Sequence, residues 1–381
     1  MSEPYLIRSF FMPTKIFIGK GCINENSHIF ESFGKKALIV TGKKSAKLNG
    51  SENDVRKALE KRNIPYVIFD QVENNPSMQH ARDAVEIGRR EKADFVIGIG
   101  GGSPIDAAKV AAILARNNIS DEAIFSNSFT NKPLPIVAVP TTAGTGSEVT
   151  QYSMMTNDRV QNKSFVISQE IFPKVSFLDA SYTETLPSGV TINTALDALS
   201  HVVESYLSAK ATEISSFIAL EGMRIIGKRL PDLRNQSILD FGMREKLLYG
   251  SMLGGIVISQ TGTTAAHAMG YSLTYFRKIE HGRANGLVMY EYLKFLSSDF
   301  KEKVATVIRT LGLKNIEEFK DLTDKLLGER ESISDEEISK FSSISIKGRN
   351  IPFTLKAVKQ SDLEIIFRRS FTSAPHSLGP A

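Results

Sequence analysis

The chain has 381 residues, of which 41% are hydrophobic, and this length favours two domains that each bury a core. Its formal charge of +5 is scattered along the chain, so nothing in it indicates a nucleic-acid-binding surface. Cys22 is the only cysteine, which excludes an intrachain disulfide and a cysteine-based metal site.

The first 140 residues or so alternate short β-rich runs with helical patterns. The predicted strands are KIFIG, KKALIVTG, IPYVIFD, ADFVIGIGGG and LPIVAVP. Between them, SENDVRKALEKRN and SMQHARDAVEIGRREKA carry apolar residues at helical spacing, and both open with serine, as capped amphipathic helices do. The alternation predicts a mostly parallel sheet with helices on its faces, an α/β Rossmann-like domain.

In such sheets ligands bind beyond the carboxyl ends of the strands, and the loop after VIGI is rich in glycine. It contains Gly100, Gly101, Gly102, Ser103, Pro104 and Asp106. We predict that Ser103 caps the following helix, that Pro104 is its first residue and that Asp106 completes a capping box. The glycines allow close backbone approach, so the helix start is a candidate cradle for a pyrophosphate. The spacing is not GxGxxG, and a tight structural turn is the alternative.

Two neighbouring loops offer further candidate cofactor contacts. The loop after VAVP, TTAGTGSEVT, supplies the hydroxyls of Thr141, Thr142, Thr145 and Ser147. Hydroxyls and backbone amides suit the sugar and phosphates of a nucleotide, although such a sequence is also an ordinary loop. After VIFD, a turn containing Asn75 is expected at the same sheet edge, where Asn75 would line the cofactor groove.

The strand signals fade after IFPKVSFLDASYTETLP, and most of the later sequence has helical periodicity. We therefore predict an α/β nucleotide-binding domain over residues 1–187 and an all-helical metal-binding catalytic domain over residues 188–381. The polar segment ESISDEEISKFSSISIKGRN is interpreted as a solvated connection before the last helix. The N-terminal residues lack the apolar run of a signal peptide and no stretch is long enough for a membrane span, so we expect a soluble, cytoplasmic protein.

The second half contains four side chains suited to bind one metal ion. Asp197 and His201 are four residues apart in NTALDALSHVVESYL, so they should project from one face of a helix. His267 and His281 follow, and Gly282 places His281 at a loop or helix start. One carboxylate and three imidazoles suit Fe2+ or Zn2+ better than Mg2+ or Ca2+. The alternative is that each of the four only supports local structure.

Taken together, the motifs GIGGGSPIDAAK, PTTAGTGSEVT, DALSHVVESYLS, HAMGYSLT and HGRAN resemble the iron-containing (group III) alcohol dehydrogenase family. The resemblance implies a dehydroquinate synthase-like two-domain enzyme, with a nicotinamide cofactor on the sheet, a metal in the helical domain and at least a homodimer. It implies these metal ligands: Asp197, His201, His267 and His281. It further implies phosphate contacts from the glycines 100–102 with Ser103, and nucleotide or ribose contacts from Thr141, Thr142 and Lys163.

The chain departs from the family pattern at Tyr271, where many members carry a histidine close to the nicotinamide and the substrate. The departure puts the proton-relay route in doubt and leaves the four metal ligands intact. At Gly42, NAD-preferring relatives have an aspartate that would repel a 2′-phosphate, whereas here Lys43 and Lys44 follow the glycine. We therefore predict NADP(H) over NAD(H), the alternative being an exposed basic turn.

The predicted reaction is reversible hydride transfer between the nicotinamide C4 and a small alcohol or aldehyde bound to the metal. A polyol dehydrogenase, a lyase of the dehydroquinate synthase type and a non-catalytic NADP-binding protein are the alternatives. The lyase would need a basic cluster, and only Lys278 and Arg283 are evident near the ligands. An apolar pocket is expected instead from Ala265, Ala266, Met269 and Leu273.

Overall fold

A computed structural model describes residues 9–234 and 239–371, and its first half is organised on a six-stranded parallel sheet in the order β1-β8-β5-β4-β2-β3. The strands are β1 (Lys15–Ile18), β2 (Ala37–Gly42), β3 (Tyr66–Val72), β4 (Phe95–Gly100), β5 (Ile136–Pro140) and β8 (Val175–Leu178). A separate antiparallel hairpin pairs β6 (Tyr152–Asn157) with β7 (Asn162–Ile167). All five predicted strands are present, whereas the hairpin was not predicted.

Both faces of the sheet are covered, as its apolar strands require. On β2, Leu38 and Val40 pack into one hydrophobic cluster while Ala37 and Ile39 pack into another on the opposite face, because side chains alternate along a strand. The helices of this half are α1 (Cys22–Glu25), α2 (Ser45–Leu48), α3 (Ser51–Glu60), α4 (Met78–Arg90), α5 (Gly102–Arg116) and α6 (Asp121–Phe125).

The two helices predicted to open with serine begin differently. Ser77 caps α4 in a capping box with His80, whose Nδ1 accepts from the Ser77 backbone N–H at 3.1 Å. In α3 the N-cap is Gly50, in a left-handed conformation, and Ser51 is already the first helical residue. The capping prediction is therefore confirmed for α4 and wrong for α3.

The second half is helical, which together with the parallel sheet confirms the predicted fold class. Its helices are α7 (Ser188–Tyr206), α8 (Glu213–Gly227), α9 (Leu230–Arg234), α10 (Phe241–Thr261), α11 (Ala265–Arg277), α12 (His281–Ser297), α13 (Lys301–Thr310), α14 (Ile316–Leu327), α15 (Asp335–Ser345) and α16 (Gln360–Phe371). They enclose one large hydrophobic cluster in which α7 packs against α8, α10 and α12. Over the described ranges, none of the helices is both long and apolar enough to cross a membrane.

The segment interpreted as a solvated connection contains α15, so that interpretation is wrong. Ser334 accepts a hydrogen bond from the Glu337 backbone N–H at 3.2 Å, and Glu337 accepts one from the Ser334 N–H at 2.9 Å. This reciprocal capping box starts the helix, and Ile338 and Phe341 then bury one face of it. The many serines hid an amphipathic helix of ordinary length.

Candidate active site

Three helices bring the four candidate metal ligands together at the boundary between the sheet and the helical half. Asp197 and His201 lie on α7, His267 on the first turn of α11, and His281 is the first residue of α12. The Nε2 atoms of His201, His267 and His281 lie 4.0, 3.8 and 3.8 Å from Asp197 Oδ1. The structure therefore places all four side chains around one point, as the spacing predicted for Asp197 and His201.

These distances fit a shared cation. Two donor atoms bound to one ion at about 2.1 Å can be at most about 4.2 Å apart, and each histidine Nε2 meets that limit with respect to Asp197 Oδ1. Asp197, His267 and His281 form a group whose donor atoms all lie within 4.8 Å of one another. His201 lies outside this group, and its ring stacks on that of His267 with centroids 4.7 Å apart. Burial lowers the pKa of His201 and holds that of His281 well below its ordinary value, which favours the neutral imidazoles that bind metals.

A fully buried carboxylate that was not predicted holds one of these histidines. Glu204 on α7 accepts a hydrogen bond from His267 Nδ1, and its other oxygen accepts from the backbone N–H and the hydroxyl of Thr264 at 2.8 and 2.5 Å. Burial opposes a charged His267, but Glu204 and then Asp197 outweigh it and raise the His267 pKa. Glu204 follows Asp197 by seven residues and His201 by three, so helical periodicity was the signal that would have found it.

Asn285, within the HGRAN motif, is a second residue that was not predicted. Its amide nitrogen lies 3.0 Å from Asp197 Oδ1, 3.1 Å from His267 Nε2 and 3.3 Å from His281 Nε2. Gly270 on α11 makes room for it, because a Cβ there would lie 2.0 Å from Asn285 Oδ1. Asn285, on α12, thus packs against three of the four candidate ligands.

A cleft of about 1200 Å³ runs from the carboxyl edge of the sheet to the donor set. The predicted cofactor residues that line it are Gly42, Asn75, Gly101, Gly102, Ser103, Asp106, Thr141, Thr142, Thr145, Ser147 and Lys163. Gly100 does not line the cleft. It has φ +146°, and a Cβ there would lie 2.6 Å from Pro104 Cγ, so this glycine permits the close turn into α5.

The predicted capping of α5 is wrong. The helix begins at Gly102 with Gly101 as its N-cap, so Ser103 and Pro104 lie within the first turn and no side chain caps the helix. The Asp106 carboxylate instead accepts from the Ser147 hydroxyl at 2.6 Å and from the Met154 N–H at 3.0 Å. Asp106 therefore ties the threonine-rich loop and the β6 strand to α5.

A buried lysine stabilises the same junction. Lys109 is fully buried, and its ammonium donates to the carbonyls of Ser147, Thr150 and Tyr152 at 2.7, 3.0 and 2.6 Å. Burial lowers its pKa to about 8, with Asp106 and Glu148 acting in the opposite direction. The threonine-rich loop is thus held rigidly at the cleft wall by Lys109.

Lys163 on β7 is the one cationic side chain of the hairpin that lines the cleft among the described residues. Desolvation lowers its pKa to about 8, against the opposing influence of Asp106 and Asp197. Its place between the cofactor loops and the donor set agrees with a cofactor contact, and it carries a proton that is exchangeable near neutral pH.

At the far end of the cleft, Gly42 ends β2, and a Cβ there would come within 3.3 Å of the Val72 carbonyl oxygen. Because this residue is glycine, the strand end offers no carboxylate to a ribose. Lys43 and Glu73 both line the cleft here and form an exposed ion pair with a 2.6 Å contact. The positive charge predicted for this end is therefore partly neutralised by a carboxylate that was not predicted.

Tyr271 lies beside the donor set, one turn after His267. Its ring stacks on His281 with centroids 5.2 Å apart and an interplanar angle of 7°, and Phe165 meets it edge-on at 5.7 Å. Burial raises the Tyr271 pKa well above its ordinary value, so the phenol stays protonated. Tyr271 therefore covers a candidate ligand, and its burial disfavours its use as a base.

The expected source of the apolar lining is wrong. Four residues named for it, Ala265, Ala266, Met269 and Leu273, are buried in the helical core and do not line the cleft. The apolar wall near the donor set comes instead from Tyr152, Phe165, Ile258 and Phe353. Arg283 pairs with Glu331 at 2.6 Å outside the cleft, whereas Lys210 and Arg349 line it near Phe353.

The fold thus joins a parallel-sheet half to a helical half, with a large cleft that ends at a donor set able to hold a metal ion. Residues 13–180 match the family described as iron-containing alcohol dehydrogenase, and residues 191–371 match its C-terminal region. The chain belongs to the iron-containing alcohol dehydrogenase family, as its motifs predicted.

Individual relatives are similar to this chain over nearly its whole length. A crystal structure of an iron-containing alcohol dehydrogenase from Thermotoga maritima is 39% identical, covers 96% of this chain and 99% of its own, and has a TM-score of 0.89. A NAD-dependent methanol dehydrogenase from Bacillus methanolicus is 29% identical, covering 95% of this chain and 93% of its own. A sulfoacetaldehyde reductase from Bifidobacterium kashiwanohense in complex with NAD+ is 26% identical, covers 97% and 100%, and has a TM-score of 0.87.

Proposed function

We propose that this oxidoreductase reversibly transfers a hydride between the C4 of NADP(H) and a small alcohol or aldehyde, with one Fe2+ or Zn2+ held by Asp197, His201, His267 and His281. The observation that carries the proposal is the convergence of these four side chains at the end of a cleft lined by the glycine-rich and threonine-rich loops. When bound, the cation would act as a Lewis acid toward the alcohol or aldehyde oxygen.

The remaining steps fall to residues of the chain. The first turn of α5, with Gly101 and Gly102, presents backbone N–H groups toward the cleft, where a pyrophosphate is favoured. Phe165 and Tyr271 cover the donor set and exclude water from one side of it. Lys163, with a pKa of about 8, is better suited than the protonated Tyr271 to exchange a proton with the reacting alcohol or with the cofactor ribose.

Residues at the end of β2 support the proposed coenzyme preference. Gly42 leaves no carboxylate at the strand end, and Lys43 is a cation that a 2′-phosphate would attract. Glu73 opposes this preference because it pairs with Lys43 and is itself negative. Two relatives carry NAD in their descriptions, so the proposed NADP(H) preference distinguishes this chain from them.

Steady-state kinetics with NADPH and NADH test the preference. Lys43→Gln should raise the KM for NADPH about tenfold and leave that for NADH unchanged, since one charged contact to a phosphate is worth about 1.5 kcal/mol. Glu73→Gln should lower the KM for NADPH because it frees Lys43. Lys44 does not line the cleft, so Lys44→Gln is the matched control. Equal use of both coenzymes by the wild-type enzyme would refute the proposal.

The activity is tested by NADPH oxidation with a panel of aldehydes, before and after Fe2+ or Zn2+ is added to chelator-treated protein. The panel should contain uncharged and carboxylate-bearing aldehydes, because the positively charged Lys210 and Arg349 line the cleft and would attract a carboxylate. We expect metal-dependent turnover that Asp197→Ala abolishes while cofactor binding persists. Cofactor binding without turnover under either metal would favour the binding-protein alternative.

Family membership favours an oxidoreductase over a lyase of the dehydroquinate synthase type. A polyol dehydrogenase remains an alternative on the same site, and the aldehyde panel with hydroxylated members distinguishes it. We also propose a cytoplasmic homodimer or higher homo-oligomer without nucleic-acid or membrane partners. Light scattering of the purified protein tests the oligomeric state, and a monomer at working concentration would refute it.

A further inference from the structure

Glu204 is the most completely satisfied carboxylate near the donor set. It is fully buried on α7, and four donors from α11 or its N-cap point at it. Its Oε1 accepts from the Thr264 N–H at 2.8 Å, from the Thr264 hydroxyl at 2.5 Å and from the His267 N–H at 3.3 Å. Its Oε2 contacts His267 Nδ1. Four converging donors are the environment of an ionised carboxylate, which can only accept.

An acceptor at Nδ1 decides which ring nitrogen of His267 carries the proton. Because Glu204 Oε2 can only accept, the single hydrogen of the neutral imidazole lies on Nδ1 and its lone pair lies on Nε2. That Nε2 faces Asp197 Oδ1 across 3.8 Å. We propose that Glu204 is a positioning residue that locks His267 in the Nδ1–H tautomer and so presents its Nε2 lone pair to the metal. This inference rests on the metal site of the proposed function.

The network extends one residue further into the core. The Thr264 hydroxyl gives its hydrogen to Glu204, so the hydroxyl of Tyr292, 2.7 Å away, donates to Thr264. Tyr292 and Thr264 are both fully buried. His281 has no comparable support, since its Nδ1 lacks a hydrogen-bond partner within the described part of the chain. The orienting network therefore serves His267 and not His281.

Replacing Glu204 by its amide gives a sharp test because the amide has a donor and an acceptor end. Two backbone N–H groups and a hydroxyl point at the Oε1 position, so the amide oxygen of the Glu204→Gln variant must occupy it. The NH2 group then faces His267 Nδ1, which must become the acceptor. The imidazole hydrogen moves to Nε2, and the tautomer that binds metal through Nε2 is lost.

The experiment measures the dissociation constant for Zn2+ by competition with a chelator, using the full-length protein. Glu204→Gln is expected to weaken Zn2+ binding about 10- to 100-fold, the usual cost of losing a residue that orients a ligand. Glu148→Gln is the matched control, because Glu148 is equally buried but contacts none of the donor residues. Its affinity should equal that of the wild-type protein.

Nitrogen-15 spectra of the imidazoles in metal-free protein provide a readout that a loss of stability would not change. When its imidazole is neutral, His267 should show a protonated Nδ1 and a bare Nε2 in the wild-type protein, and the reverse in Glu204→Gln. If Glu204→Gln folds, binds Zn2+ as tightly as the wild-type protein and keeps Nδ1–H, the inference is wrong. If the wild-type protein binds no Zn2+, or if Asp197→Ala binds it equally tightly, the proposed metal site itself is wrong.

A second variant keeps the test decisive if Glu204→Gln does not fold. Thr264→Val removes only the hydroxyl that donates to Glu204 and preserves the backbone N–H and the side-chain volume. We expect Thr264→Val to weaken Zn2+ binding several-fold. Thr264→Ser, which keeps the hydroxyl, should bind Zn2+ as tightly as the wild-type protein. Unchanged affinity in Thr264→Val would contradict the orienting network as well.

Discussion

Gly282→Ala tests whether the close crossing of α7 and α12 sets the spacing of the proposed metal ligands. Gly282 follows His281, and a Cβ there would lie 1.8 Å from the Asn193 carbonyl oxygen and 2.9 Å from Asp197 Cβ. Side-chain carbons essentially never approach other atoms closer than 3.0 Å. The first of these contacts is to backbone, so relief requires a movement of one helix.

The size of the effect follows from these distances. The helices must separate by about 1.2 Å to bring the new Cβ to 3.0 Å from the Asn193 oxygen, because close-packed backbone cannot yield locally. His281 Nε2 and Asp197 Oδ1 are now 3.8 Å apart. A separation of about 5 Å would exceed the roughly 4.2 Å that two ligands of one ion can span. We therefore expect loss of His281 as a ligand.

The assay combines Zn2+ affinity with urea unfolding of the metal-free protein. Gly282→Ala should weaken binding at least about tenfold and lower the free energy of unfolding by about 1–3 kcal/mol, the typical cost of overpacking. Gly189→Ala, at the exposed start of α7 where an added Cβ meets nothing within 4 Å, is the matched control. If both variants bind Zn2+ and unfold alike, helix crossing does not set the ligand spacing.

Three further outcomes are expected. Tyr271→Phe should retain kcat within about tenfold, because the ring still stacks on His281; a loss of 100-fold or more would instead assign it proton transfer. The KM for NADPH should rise as pH passes upward through about 8, where Lys163 loses its charge, and Lys163→Gln should show a flat profile; parallel profiles would contradict this role. Burial raises the Glu148 pKa from 4.5 to about 7, so its ionisation costs folding free energy between these pH values. The unfolding free energy of Glu148→Gln minus that of the wild-type protein should therefore increase from pH 4.5 to 7, by about 3 kcal/mol at most, and then level off; a constant difference would show that the carboxyl titrates normally.

Local patterns predicted the parallel sheet because each of its buried strands is a short run of β-branched and aliphatic residues between turn signals. They also placed Asp197 and His201 on one helix face. The β6–β7 hairpin escaped prediction because its buried and half-buried positions do not follow an apolar–polar alternation: Ser153 is buried, whereas the neighbouring Met154 is half-buried. α15 escaped because serine dominates its composition, although Ser334 and Glu337 have the spacing of a capping box.

The contacts that complete the site depend on packing between segments distant in sequence. Glu204 meets Thr264 across 60 residues, and Asn285 meets Asp197 across 88. Periodicity places Glu204 on the face of α7 that carries Asp197, but it cannot show that the start of α11 docks there. The Lys43–Glu73 pair likewise depends on the neighbouring positions of β2 and β3. Such contacts follow from the fold, so they became visible only with the structure.

The most direct test of the account is a titration of Fe2+ into metal-free enzyme while NADPH oxidation by an accepted aldehyde is followed. We predict no turnover without metal, then a rate that rises linearly with added Fe2+ and saturates at one equivalent per chain. His281→Ala should fail to reach that rate at the same metal concentration while still binding NADPH. Full activity of the metal-free enzyme, or an unchanged titration in His281→Ala, would contradict the claim that these side chains hold the catalytic metal.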